Sequence, residues 1–216
     1  MTNIEIIEEN KRRLSVINSV YNPYTGEGST SIERKKVHID GFPLEDMYLP
    51  TEFADSGFVQ KLSEVGYEGY IKFILCTGVT QELKSELWIE FCKERIKYDF
   101  EFWAALLIVI ALKGLGRDSN FVLNRAQRHY LKELEKLRLA GKPIDIILLK
   151  ARQWGGSTLT QLYMLWIQLV HRRNWNSVIC GAVESQATTV RGMLSKAIRN
   201  YSSWASGGEE ISMHPY

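Results

Sequence analysis

Residues Leu148 to Leu162 read LLKARQWGGSTLTQL. The stretch opens on apolar residues, passes through two glycines and continues into a helical pattern that starts at Ser157 and Thr158. Strand, glycine turn and helix in that order are the layout of a loop that cradles nucleotide phosphates. Its usual pattern is G-x-x-x-x-G-K-[ST]. Here Gly156 precedes Ser157, where that pattern has lysine. The local alternative is an ordinary turn between strand and helix, with two glycines and a Ser/Thr N-cap.

The residue types in the turn suit an anion. A chain that turns sharply into a helix aims several backbone N–H groups at one point. Gly155 and Gly156 have no Cβ to hold a phosphate away from the backbone. Ser157 or Thr158 could place a hydroxyl on Mg²⁺. The missing cation has two candidate replacements, Lys150 at the start of the loop and Arg152 inside it. Lysine meets phosphate as a mobile point charge and arginine as a rigid fork. Trp154 is too bulky to line a phosphate closely and is expected to point outward or to pack on the core.

Working outward, Ile144 to Leu149 (IDIILL) is nearly continuous apolar sequence, as in a parallel strand buried on both faces. Ser177 to Val183 (SVICGAV) reads as a second such strand. The intervening helix runs from Ser157 to about Arg172, with His171, Arg172 and Arg173 at its C-terminal end, where positive charge suits the dipole. Strand, helix, strand predicts a βαβ unit, so residues 119–216 are expected to be α/β with a parallel sheet, a partial P-loop NTPase core. Before it, FVLNRAQRHYLKELEKLRLAGK is an amphipathic helix stopped by Gly141 and Pro143. Residues 51–118 read as a helical subdomain, clearest in QELKSELWIEFCKERIKYD and in the apolar helix from Phe102, which Gly114, Gly116 and Asp118 end and turn into a loop. Residues 1–50 read as a charged helix followed by an extended arm rich in Gly, Pro, Ser and Tyr.

Bulk properties exclude several classes. In 216 residues, 45% are hydrophobic and 24% charged, and the net charge is +2, as in an ordinary globular chain. Charge alone neither demands nor excludes a nucleic-acid partner. Cys76, Cys92 and Cys180 are odd in number and contain no C-x-x-C pair, which argues against a zinc site or disulfide framework and fits a reducing compartment. The four histidines form no H-E-x-x-H. The first residues are polar and acidic, unlike a secretory signal. The longest apolar run, Phe102 to Leu112, is about half the roughly 20 residues that span a membrane, so a buried helix is expected.

Taken together, KARQWGGST, the preceding FVLNRAQRHYLKEL and the following NSVICGAVESQATTVRGML resemble the large terminase subunit of tailed bacteriophages, the ATP-driven motor that packages DNA into the prohead. The resemblance covers roughly residues 95–216. Members of that family carry an R-Q-x-G-[KG]-[ST] loop, and some place the working lysine at its start. Lys150, Arg152, Gln153, Gly155, Ser157 and Thr158 fall on that variant, while Gly156 departs from the commoner form. The family also has an upstream glutamine that recognises adenine, and Gln127 falls on that position. A side-chain amide has both the donor and the acceptor needed for adenine N6 and N7.

The resemblance implies ATP and Mg²⁺ as cofactors, with Ser157 at the metal. It implies double-stranded viral DNA, the portal of the prohead, the small terminase subunit and further copies of the same chain as partners, in the host cytoplasm and not in a membrane. Arg125, Arg128 and Lys132 read as a solvated helix face or as contacts to DNA or a neighbouring subunit. No apolar strand ending in Asp-Glu follows Val183, and no acidic nuclease cluster is present, so these 216 residues are expected to resemble an N-terminal fragment that does not by itself hydrolyse ATP efficiently or cut DNA. Glu184, Ser185 and Gln186 fall at the end of the expected second strand and take no catalytic role. Two alternatives stand beside this reading. One is a catalytically inactive interaction module from a truncated prophage gene. The other is another P-loop ATPase such as a helicase, against which the shifted lysine and the Arg-Gln pair argue.

Overall fold

The computed structural model describes residues 4–9, 20–111, 117–149, 154–171, 176–181, 184–206 and 211. Helix α1 (4–9) is followed by strands β1 (Arg34–His38) and β2 (Asp46–Pro50), which form an antiparallel hairpin pairing Arg34 with Pro50 and His38 with Asp46. Then come α2 (Thr51–Ala54), α3 (Gly57–Gly69), α4 (Gln81–Arg95) and α5 (Phe100–Leu107). Strands β3 (Val109–Ala111) and β4 (Asp118–Asn120) make a second antiparallel pair. Helices α6 (Arg125–Leu139), α7 (Gly156–Trp166) and α8 (Glu184–Arg199) complete the described elements, and π-helical turns follow α3 at Tyr70–Ile74 and α7 at Ile167–His171.

Polar N-caps explain where four of these helices begin. The side chains of Ser56, Thr80, Asp99 and Asn124 each accept the N–H three residues on, at Val59, Leu83, Phe102 and Gln127. Each cap satisfies one of the amide donors that a helix start leaves without an internal partner. The expected apolar helix from Phe102 is present as α5, nearly all of it buried, but it ends at Leu107 and the chain turns into β3.

Two apolar clusters meet along α4. One gathers Ile39, Met47, Leu49, Phe53, Leu62 and Phe91 from the first hairpin and α2 to α4. The hairpin therefore contributes to the core, although its sequence reads as an extended arm. The other gathers Trp103, Phe121, Leu131, Leu159 and Trp166 from α5 to α7 and their flanks. Trp88 of α4 packs against both.

The expected parallel sheet is not found among the described residues. Both sheets are two-stranded and antiparallel, and neither contains a residue of the two apolar runs. Ile144 to Leu149 has no regular structure, and Ile147 and Leu149 are 99% and 98% exposed. Residues 177–181 likewise form no strand, and Val178 is 80% exposed; Ala182 and Val183 lie outside the described residues. The βαβ, P-loop NTPase class is thereby corrected to a mainly helical fold with two small hairpin sheets. The physical reason is that apolar content measures the tendency to leave water, not the presence of a neighbouring strand. A strand needs a partner for its backbone groups, and these runs find none among the described residues. Among the described residues, no helix is long and apolar enough to cross a membrane.

A buried ionic hub fixes residues 21–34 against α4 and α5. The Asp99 carboxylate accepts two hydrogen bonds from the Arg34 guanidinium, both at 2.8 Å, and two from Arg95 at 3.1 and 3.0 Å. Glu101 accepts from Arg34 and Ser31, each at 3.0 Å, and from Ser29. Arg95 donates onward to the carbonyls of Tyr24 at 2.6 Å and Pro23 at 3.4 Å. Burial pushes the Asp99 carboxyl pKa up, but the charges of Arg34 and Arg95 outweigh this and hold it at about 2.

Because that pKa is depressed below its ordinary value of 3.8, the ionised form contributes stability above about pH 4. That contribution is lost as pH falls toward about 2. Thermal melts across this window are expected to fall more steeply for the wild type than for Asp99→Asn. At neutral pH, Asp99→Ala leaves two arginines without their shared anion and is expected to cost about 3–5 kcal/mol in denaturant unfolding. A loss below about 1 kcal/mol would remove the hub from its structural role.

Candidate functional site

Helix α7 starts differently from the four capped helices. Its N-cap is Gly155, in the left-handed conformation with φ +84°, and it has no side-chain cap. The first helical bond runs from Leu159 N–H to the Gly155 carbonyl at 3.0 Å. The N–H groups of Gly156, Ser157 and Thr158 thus precede the helical ladder, at the positive end of the dipole. Ser157 is exposed, Thr158 is partly so, and the first turn contains no acidic residue. These are the features that suit an anion.

The start of α6 holds this turn. Asn124 and Gln127 form a reciprocal capping box: Asn124 Oδ1 accepts from Gln127 N–H at 3.0 Å, and Gln127 Oε1 accepts from Asn124 N–H at 2.9 Å. The other halves of the same two amides cross to the loop. Asn124 Nδ2 donates to the Trp154 carbonyl and Gln127 Nε2 to the Gly155 carbonyl, each at 3.0 Å. Gln127 is 4% exposed. Both ends of its amide are engaged, and the adenine edge expected from the family resemblance does not reach them while these contacts hold.

The glycines also have local explanations. A Cβ on Gly155 would lie 2.5 Å from Gln127 Nε2, and one on Gly156 would lie 2.7 Å from the Trp154 ring. Trp154 folds back over the helix start, its ring edge-on to Tyr130 with centroids 6.2 Å apart. The residue that replaces the pattern's lysine is therefore glycine because the indole lies where a side chain would begin. Thr160, one turn on, donates to the Gly156 carbonyl at 3.0 Å and approaches the Tyr130 hydroxyl at 3.4 Å.

Of the residues expected at the site, Gln127, Gly155, Gly156, Ser157 and Thr158 come together at this junction. Lys150, Arg152 and Gln153 lie outside the described residues. Glu184, Ser185 and Gln186 open helix α8 and do not end a strand. Arg125 and Lys132 are exposed, whereas Arg128 turns toward the N-terminal segment. It donates to the Gly28 carbonyl at 3.2 Å, and its guanidinium carbon lies 4.0 Å from the centre of the Tyr21 ring. Sequence reasoning missed Asn124 and Tyr130 as parts of the junction, and it expected Trp154 to point outward or pack on the core, where the structure lays its ring over Gly156. The signal for Asn124 was available, since Asn three residues before Gln at the start of an amphipathic pattern is the mark of a capping box.

Two open cavities lie among the described residues. One of about 480 Å³ is lined by Tyr130, Thr160, Tyr163, Ile144, Ile146 and Val178 and begins one turn beyond the loop. The other, about 1010 Å³, lies between the end of α4 and the turn at Ile167–His171, with Tyr201 and Trp204 on its wall. Among the described residues, no three His, Cys, Asp or Glu side chains are grouped to hold a metal ion. Ser157 and Thr158, the two candidate Mg²⁺ contacts, both lie in the first turn of α7. Comparison with protein-family models, with curated proteins and with solved structures gives no match for this chain.

Gly155→Ala forces a left-handed alanine and pushes aside the Gln127 amide. It is expected to cost about 2 kcal/mol in denaturant unfolding, from the left-handed backbone and the lost hydrogen bond together. In a Gln127→Ala background the same substitution should cost measurably less, because the clash is gone. Equal costs in both backgrounds would show that Gln127 does not hold the loop.

Proposed function

We propose that this chain acts as the ATP-binding part of a viral DNA-packaging motor of the large-terminase kind, with the nucleotide phosphates at the start of α7. The observation that carries the reading is the 3.0 Å hydrogen bond from Gln127 to the Gly155 carbonyl. It joins in space the two sequence features, upstream glutamine and glycine loop, on which the resemblance rests. In this reading the N–H groups of Gly156 to Thr158 meet phosphate oxygens, and Ser157 meets Mg²⁺. Lys150 or Arg152 supplies the cation. Gln127 sets the shape of the loop, and adenine reaches its amide only when the capping box opens. Double-stranded DNA, the portal, the small terminase subunit and further copies of this chain are the partners, in the host cytoplasm. The proposal uses the helix start itself and does not require a parallel sheet.

A second reading, a non-catalytic interaction module, is favoured by a separate observation: the exposure of Ile147, Leu149 and Val178. Apolar side chains of this size cluster at surfaces that other proteins cover.

ATP separates the two. A ligand that binds only the folded state stabilises it by mass action, about 2.7 kcal/mol at a hundredfold excess over Kd. Melting temperature is expected to rise with ATP and Mg²⁺ in the wild type. The rise should vanish in Lys150→Ala/Arg152→Ala and persist with inorganic sulfate in place of ATP only at far higher concentration. A wild type whose melting temperature does not move with ATP sinks the motor reading and leaves the interaction module.

A further inference from the structure

The N-terminal segment and the glycine loop are far apart in sequence, yet neighbouring residues of one helical turn hold both. Gln127 bonds to Gly155, and Arg128, the next residue, bonds to Gly28 and covers Tyr21. Asn124, one turn earlier, caps the helix and bonds to Trp154. The segment is itself anchored at its other contacts. Arg95 holds the carbonyls of Pro23 and Tyr24, and the Tyr24 hydroxyl donates to the Ala105 carbonyl at 3.1 Å. Gly26 is held closely as well: a Cβ there would meet the Tyr48 carbonyl at 2.1 Å. The segment is thus a fixed support on the hub side and reaches α6 through Arg128.

We infer that Arg128 and Tyr21 are positioning residues for the Gly155–Thr158 loop, acting through the capping box of α6, so that docking of residues 21–31 sets how tightly the loop is held. The chain of contacts is short and continuous. Tyr21 and Gly28 fix the Arg128 guanidinium, Arg128 fixes the first turn of α6, and the two amides of that turn fix the carbonyls of Trp154 and Gly155. A partner that pulled residues 21–31 away would release Arg128 and loosen the loop at its two carbonyl anchors. The purpose of this link rests on the reading that the loop binds phosphate, but the link itself can be measured without nucleotide.

Amide hydrogen exchange on the full chain tests it, read on peptides covering Trp154 to Leu162 and, as an internal reference, on α4. Arg128→Ala is expected to speed exchange at the start of α7 by about tenfold, the loss of one hydrogen bond and one cation–π contact, while α4 changes by less than about twofold. Tyr21→Ala should act like Arg128→Ala. Tyr21→Phe keeps the ring beneath the guanidinium and should restore slow exchange, which general loosening of the segment would not explain. Unchanged exchange at α7 in Arg128→Ala and Tyr21→Ala overturns the inference. So does equal acceleration in α4, or failure of Tyr21→Phe to rescue. An ATP titration of the same proteins separates the two proposals. Accelerated exchange in a protein whose wild type binds no ATP supports the link and removes the nucleotide reading. ATP binding with no change in exchange does the reverse.

Discussion

The Asp99 carboxylate is the point on which the rest of the structure depends. It caps α5 through Phe102 N–H and joins Arg34 of the first hairpin to Arg95 of α4. All three side chains are almost fully buried. Charges in that position are costly unless every one is paired and hydrogen-bonded. Here the pairing crosses three elements, so satisfying one carboxylate also fixes where the hairpin, α4 and α5 sit. The apolar clusters on the two sides of α4 supply the larger driving force, but such burial is indifferent to small rotations. The ionic hub is directional and selects one arrangement. It also brings residues 21–31 to the side of α6 where Arg128 waits.

The glycines of the loop take on a different meaning in this setting. In a phosphate cradle the absent Cβ leaves room for a ligand. Here the room next to Gly155 is filled by the Gln127 amide and that next to Gly156 by the Trp154 indole. The turn is built from inside the protein, and among the described residues the helix start leaves to a ligand the exposed Ser157 and the partly exposed Thr158 with the N–H groups that precede the helical ladder. Glycine at 156 is therefore no sign of lost chemistry. It is what the indole of Trp154 requires.

Legibility in the sequence followed the range of the interaction. Helices α4 and α6 could be read directly, because an amphipathic stripe is a local feature. Gln127 was singled out by resemblance to a base-reading glutamine, whereas the contacts that the structure describes are a capping box with Asn124 and a hydrogen bond to the Gly155 carbonyl. The hub could not be read at all. Arg34 and Asp99 are 65 residues apart and look like ordinary surface charges until the fold buries them. Ile144 to Leu149 failed in the opposite sense. Its composition is that of a buried strand, but a strand is a property of two segments, and no described segment pairs with it.

Those same constraints bound what the helix start can contribute to nucleotide binding. The dipole and free N–H groups of a single helix favour an anion by about 0.3–2 kcal/mol, whereas micromolar affinity corresponds to about 8 kcal/mol. The difference has to come from charge and shape supplied elsewhere. With no parallel sheet among the described residues to form the floor of a crevice, a nucleotide bound as proposed would have to draw most of its affinity from the cation proposed at Lys150 or Arg152, the metal proposed at Ser157 and contacts to the base. The base contact in turn competes with the capping box, since one amide cannot grip both the Gly155 carbonyl and an adenine edge in the geometry described. A nucleotide that engaged Gln127 would loosen the loop that holds its phosphates. One that left Gln127 alone would keep the loop rigid and forgo base recognition there. The second arrangement is physically the more economical, and under the proposed reading it would leave Gln127 to the architecture of the site and phosphate selection to residues 150–158.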